Sequence, residues 1–282
     1  MAAYEVITNS IIELLDKGIV PWHRPWKVEM PKNLVTKKTY RGVNILMLSW
    51  TDFKSPYWLT YKQAKDLKGY VKSGAKGIPV VYWQFVKVKG NDSDEQIEKN
   101  IPFLRYYTVF NVEQCDGIKV PEEKADIKPI EECERVINGM PNRPKIIYGG
   151  DQACYIPSRD IIRLPHKEHF GKMEEHYATA FHELVHSTGH ASRLNRKGIN
   201  EAHVFDSETY SKEELVAEIG ASFLCSLSGI ESKTIGNQAA YVGSRLSKLR
   251  NDKKLIITAA SLAQKAADYI LNKREAVLSV AA

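Results

Sequence analysis

The run His182-Glu183-Leu184-Val185-His186 holds two imidazoles four residues apart, with a carboxylate beside the first. On a helix, positions four apart lie on one face, one turn above the other, so His182 and His186 can present nitrogens to a single tetrahedral ion. Glu183 is turned about 100° from His182 and reaches a water at the open coordination position rather than the ion. That division of labour belongs to a hydrolytic zinc centre: the ion acidifies a water, Glu183 accepts its proton, and an amide carbonyl is attacked. Manganese suits the same ligands. Tyr177, Ala180, Phe181, Leu184 and Val185 supply an apolar side to bury the helix, and Gly189 is placed to end it.

Such a run also arises by chance, in on the order of one chain in a hundred of this length, so weight falls on a third ligand. Ser211 to Glu218 (SKEELVAE) provides one, with Glu214 and Glu218 again at i and i+4. In glutamate-liganded zincins the first carboxylate of such a pair binds the metal and the second orients a ligand histidine from behind. Glu214 is therefore the expected ligand and Glu218 the expected partner of His182, with the reverse assignment as the alternative. A solvated acidic face is the plainer reading, but Ile219, Ala221, Phe223 and Leu224 embed Glu218 among buried positions. His190 is an alternative third ligand; Gly189 interrupts the helix before it, which favours a structural or supporting role. Tyr210 and Arg193 flank the ligand segments and are candidates to polarise a carbonyl. His166, His169, His176 and His203 have no spacing that singles them out, although His176 could extend the helix face near the metal.

The elements that must position these groups are legible in outline. Met173 onward reads as mainly helical, over 173–188, 211–228, 235–249 and 252–274. Before it, Lys145–Tyr148, Ala153–Ile156 and Asp160–Leu164 read as short strands, the last being the candidate edge along which an extended substrate would pair. Helical spacing also covers Pro129–Gly139. A charged, patternless stretch at Pro121–Lys128 marks a boundary, dividing the chain into 1–125 and 129–282. In the first part, helices are expected over Tyr4–Lys17, from near Asn44, and over Thr60–Leu67. Aromatic-rich strands are expected at 78–88 and 103–112, paired across a polar loop at Asn91–Asn100.

A hydrophobic fraction of 43% and a charged fraction of 26% are those of a soluble globular protein, and no apolar run approaches the roughly 20 residues needed to span a bilayer. The N-terminus lacks a basic stretch before an apolar core, and Cys115, Cys133, Cys154 and Cys225 form no C-x-x-C pair. A cytoplasmic location without disulfides is expected.

Charge is not spread evenly. Residues 1–90 carry 15 Lys and Arg against 6 Asp and Glu, and hold all five tryptophans, Trp22, Trp26, Trp50, Trp58 and Trp83. Single-stranded nucleic acid is bound by cations that follow the backbone and rings on which bases stack. Lys37, Lys38, Tyr40 and Arg41, then Trp58, Tyr61, Lys62 and Lys65, then Tyr70, Lys72 and Lys76 supply both. For any single tryptophan, a place in a small core is the competing fate.

Several segments together resemble the ArdC-type antirestriction proteins carried by conjugative plasmids. They are Pro21-Trp22-His23-Arg24-Pro25-Trp26, Tyr40-Arg41-Gly42-Val43-Asn44, Trp58-Leu59-Thr60-Tyr61, Val71 to Gly77 (VKSGAKG), Val109 to Gln114 (VFNVEQ), His182 to Leu194 (HELVHSTGHASRL) and Glu213 to Glu218. The resemblance covers nearly the whole chain. It implies an N-terminal α+β domain that binds single-stranded DNA, joined to a zincin-like metallopeptidase domain with a short sheet and active-site helices. It also implies protection of incoming plasmid DNA from host restriction. Trp22, Arg24, Trp26 and Asn44 join the DNA-binding candidates on this basis. Two rivals stand beside that reading: a protein that shields DNA by coating it while its metal site is idle or structural, and a peptidase acting on a transcriptional repressor.

Overall fold

The computed structural model describes residues 2–23, 29–90, 97–121, 128–200, 208–231 and 238–273. The chain is α+β. It opens with α1 (Ala3–Asp16), whose Ile7, Ile11, Leu14 and Leu15 recur at helical spacing and are buried. Each such side chain contributes about 1.5–3 kcal/mol by leaving water. Gly18, at a φ of 74°, supplies the left-handed turn that stops the helix. Next come β1 (Lys32–Asn33), α2 (Val43–Ser49), β2 (Tyr57–Leu59), α3 (Tyr61–Asp66) and β3 (Tyr70–Val71). A capping box starts α3: the Thr60 hydroxyl accepts from the Gln63 N–H at 3.2 Å, while Gln63 Oε1 accepts from the Thr60 N–H at 2.9 Å.

The hairpin of β4 (Ile78–Gly90) and β5 (Ile97–Asn111) dominates this half. It is longer than its hydrophobic pattern implies. Residues 97–100, expected in a loop, pair with 87–90, because cross-strand backbone bonds do not require an apolar side chain. The sheet order is β1-β2-β5-β4, with β1 and β2 parallel and the rest antiparallel, so β4 forms an edge. After a short 3₁₀ turn at Val112–Gln114, β6 (Cys115–Asp116) pairs with β3.

The second half begins with α4 (Pro129–Gly139), then β7 (Lys145–Tyr148), β8 (Cys154–Ile156) and β9 (Ile161–Leu164). The sheet order is β7-β9-β8, with β7 parallel and β8 antiparallel to β9. This corrects the expected edge: Asp160–Leu164 forms the middle strand, its backbone groups taken by neighbours on both sides. β8 is the outer strand that packs against the helix carrying the histidines. That helix is α5 (Met173–Ser187), followed by α6 (Lys197–Asn200), α7 (Glu208–Ser228), α8 (Gln238–Asn251) and α9 (Leu255–Ile270).

One apolar core runs through both halves. Ile7, Ile11, Trp22, Leu46 and Val80 belong to the same buried cluster as Phe181, Leu184, Phe223, Ile256 and Ala263. Polar ties cross the same seam: Arg41 pairs with Asp268, the Gly42 N–H donates to Gln264 Oε1 at 3.0 Å, and the Thr8 hydroxyl donates to the Lys253 carbonyl at 2.6 Å. The boundary expected at 121–128 falls mostly outside the described residues. Among those described, no helix is long and apolar enough to cross a membrane.

Candidate metal centre

His182 and His186 stand one turn apart on α5, and α7 crosses this helix so that Glu214 faces both. Their Nε2 atoms are 3.1 Å apart; Glu214 Oε2 lies 3.5 Å from His182 Nε2, and Oε1 lies 3.4 Å from His186 Nε2. Ligands about 2.0–2.1 Å from a tetrahedral ion are separated by about 3.3–3.4 Å, so the three side chains fit one cation. Among the described residues they are the only His, Cys, Asp or Glu cluster with such an arrangement. Glu183, buried beside them, adds its field at His186.

The electrostatics of the cluster favour positive charge at its centre. Burial opposes a charged His186, but the Glu213 and Glu214 carboxylates outweigh it and lift the imidazole to about 10. Burial likewise acts to raise Glu214, yet the His182 and His186 imidazoles hold its carboxyl well below the usual range. A divalent cation satisfies the same demand.

Glu213 is the residue that sequence reasoning missed. Its Oε1 stands 3.5 Å from His186 Nδ1, a buried nitrogen with no hydrogen bond among the described residues, on the far side of the ring from the cluster. Arg196 fixes that carboxylate with two bonds, from Nε at 3.0 Å and from its terminal nitrogen at 2.5 Å. The same guanidinium donates to the Val185 carbonyl at 2.8 Å and the Thr188 hydroxyl at 2.6 Å, closing the C-terminal end of α5. A carboxylate behind a ligand histidine is the expected arrangement; its position is corrected from Glu218 to Glu213 and its target from His182 to His186. Glu218 is engaged elsewhere, accepting from the Tyr241 hydroxyl and, at 2.9 Å, from Arg245. The one available cue was that Glu213 and Glu214 are adjacent, so that one facing the metal leaves the other about 100° away.

Two other assignments change. Arg193 is not free to meet a substrate: its side chain is 1% exposed, held by Asp160, by the Tyr155 hydroxyl at 3.2 Å and by the Ser187 carbonyl at 2.7 Å. His190 leaves the helix after Gly189, and its Nδ1 meets the Ser192 hydroxyl at 2.8 Å instead of supporting a ligand. His176 is buried among Tyr148, Phe170 and Tyr177, away from the cluster. The side chain of Tyr210 lies outside the described residues.

The DNA-binding candidates divide by burial. Trp22 is enclosed, its indole N–H donating to the Tyr241 hydroxyl at 2.9 Å, and Trp58 is enclosed against the edge of Phe53. Tyr40 is buried, and burial raises its phenol above the ordinary value. These three rings offer no face to a base, because the core needs their area. Asn44 holds the backbone of Val81, donating to its carbonyl and accepting from its N–H, both at 2.8 Å. Lys38, Tyr61, Lys72 and Lys76 are on the surface. Lys72 pairs with Asp116 at 3.5 Å, and Arg41, half exposed, pairs with Asp268. Arg24 and Trp26 lie outside the described residues.

A helix bearing two histidines, crossed by a helix bearing a glutamate beside a small three-stranded sheet, defines a zincin-like metallopeptidase domain; the family model of that description matches residues 131–262. A second model, the N-terminal domain of anti-restriction factor ArdC, matches residues 1–110. The chain belongs to the ArdC antirestriction family. It is similar to the metal-free crystal structure of the antirestriction protein ArdC from plasmid R388, with a TM-score of 0.78 at 36% identity over 97% of this chain and 98% of that one. The Mn(II)-bound form of that protein gives 0.77 at 34%, over 98% and 100%. Two proteins named DNA primase TraC from Escherichia coli are 37% and 38% identical over 95% of this chain, which spans only 20% and 27% of their lengths. The protein y4eC of Sinorhizobium fredii is 32% identical over 95% of this chain and 91% of its own.

Proposed function

We propose that this chain is a cytoplasmic antirestriction protein that binds single-stranded DNA through residues 1–125 and cleaves protein through a divalent-metal centre in residues 129–282. The observation that carries the catalytic part is the convergence of His182, His186 and Glu214 at ligand spacing. Two imidazoles and one carboxylate suit zinc; the Mn(II)-bound relative supports a divalent ion and makes manganese the alternative. When bound, the ion acidifies a water and polarises an amide carbonyl. Glu183 accepts the proton of the attacking water and returns it to the leaving nitrogen. Among the described residues no strand pairs with the outer edge of β8, which packs against α5, so an extended peptide can lie along it as an added strand. Surface Lys38, Tyr61, Lys72 and Lys76, with the positive balance of residues 1–90, support the assignment of DNA to the first half.

The test is metal analysis combined with peptide hydrolysis. One ion per chain is expected in the wild type, loss of it in His182→Ala and Glu214→Ala, and retention in Glu183→Gln with hydrolysis abolished. Metal retained in both ligand variants, or hydrolysis surviving in Glu183→Gln, overturns the catalytic reading. Restriction protection by Glu183→Gln then separates mechanisms: full protection assigns shielding to DNA coating, and lost protection assigns it to proteolysis.

A further inference from the structure

The hairpin of β4 and β5 leaves large rings uncovered, although its base is anchored in the core through Val80 and Val109. Its register pairs Val81 with Tyr106, Trp83 with Leu104 and Phe85 with Pro102, so these residues share one face. On that face Trp83 is 39%, Phe85 40% and Tyr106 47% exposed. The row continues onto α1, where Tyr4 meets Trp83 edge-on at 6.5 Å and Lys254 Nζ sits 5.6 Å above the Tyr4 ring.

We propose that the Trp83–Phe85–Tyr106 face of the hairpin is the surface on which the bases of single-stranded DNA stack. The inference rests on the single-strand reading above and says where that strand lies. Same-face side chains on a strand recur every ~6.6–6.8 Å, about twice the ~3.4 Å separation of stacked bases, so the interval between Trp83 and Phe85 matches one base with a ring on either side. Charge selects the occupant. Lys254 stands at the end of the ring row, and residues 1–90 carry 15 Lys and Arg against 6 Asp and Glu, a balance that attracts a polyanion and opposes a purely apolar protein surface. Duplex DNA keeps its base faces covered and cannot use the rings. Trp22, Trp58 and Tyr40, which have no open face, are excluded from this role.

The experiment measures binding of the full chain to a fluorescently labelled oligothymidylate by anisotropy, at several salt concentrations and with a duplex of equal length in parallel. Trp83→Ala and Phe85→Ala are each expected to weaken single-strand binding about ten-fold while leaving the slope of affinity against salt unchanged, because phosphate contacts remain. Tyr148→Ala, which removes an exposed ring from β7, should leave affinity unchanged. Oligonucleotide should quench tryptophan emission in the wild type, and Trp83→Phe, which preserves a ring and the fold, should remove most of that quenching while retaining affinity. Wild-type affinity in the alanine variants, or full quenching in Trp83→Phe, overturns the proposal and leaves single-strand binding standing. Failure of the wild type to bind the oligonucleotide overturns both.

Discussion

Gly220 of α7 lies directly against the side chain of Val185 of α5; a Cβ at position 220 would stand 2.8 Å from Val185 Cγ2 and 2.9 Å from Cγ1. Val185 precedes His186, and Gly220 follows Glu214 on the helix that faces it. The spacing between His186 and Glu214 is therefore set by a missing methyl group. Gly220→Ala is expected to push the helices apart, weakening metal affinity and costing about 1–3 kcal/mol by overpacking. Val185→Ala in the same chain should restore both. Chelator competition and thermal melting read the two effects, and a variant with unchanged metal affinity would remove Gly220 from this role.

Glu213 and Arg196 would act on a bound ion only through His186. Glu213→Gln is expected to lower metal affinity about 10–100-fold, the usual cost of losing a carboxylate behind a ligand histidine. Arg196→Ala leaves the Glu213 charge buried without its partner and is expected to cost about 3–5 kcal/mol of stability. Metal titration and denaturant unfolding check these in turn. Equal metal affinity in Glu213→Gln and wild type would reduce Glu213 to a partner of Arg196 alone.

The Arg193–Asp160 pair ties the turn between β8 and β9 to the end of α5, and it carries a pH signature. The Arg193 guanidinium holds the Asp160 carboxyl below its ordinary value. A carboxyl depressed on folding stabilises the protein above its unfolded pKa of about 4 and loses that contribution as pH falls through the folded value. Asp160→Asn should therefore be less stable than wild type at neutral pH, by about 1 kcal/mol for a partly exposed bond to a charged group. The gap should narrow below about pH 4. A gap independent of pH would mean that packing, not charge, holds the turn.

Trp22 reports on the seam between the halves. Tyr241→Phe removes the acceptor of its indole N–H and a donor to Glu218, and is expected to cost about 1–3 kcal/mol. Single-strand affinity of the folded variant should stay within about two-fold of wild type, since a buried ring contributes no stacking. A large loss of affinity without a loss of stability would return Trp22 to the DNA surface.

The spacing of His182, Glu183 and His186 was legible because it depends on one helix alone, whose period is fixed. Glu214 could be proposed from its own helix, but which of Glu213, Glu214 and Glu218 meets which histidine depends on the rotation of α7 about its axis. That rotation follows from the contact at Gly220 and from the pull of Arg245 and Tyr241 on Glu218, neither of which is local in sequence. The central place of β9 is hidden for a similar reason: its parallel pairing with β7 joins segments that no hairpin turn connects. Composition located the aromatic half but could not sort its rings. Trp22 and Trp83 read alike in the chain, and only packing separates the one enclosed beneath α8 from the one left open on the hairpin.

The continuous core has a consequence for inheritance. Ile7, Ile11 and Leu46 lie on α1 and α2, which pack against α8 and α9 within one buried cluster. Severing the chain between 121 and 128 would uncover that layer on both pieces, so neither half is expected to travel alone through recombination. The stretch of about 290 residues shared with the much longer TraC proteins fits a cassette transferred whole.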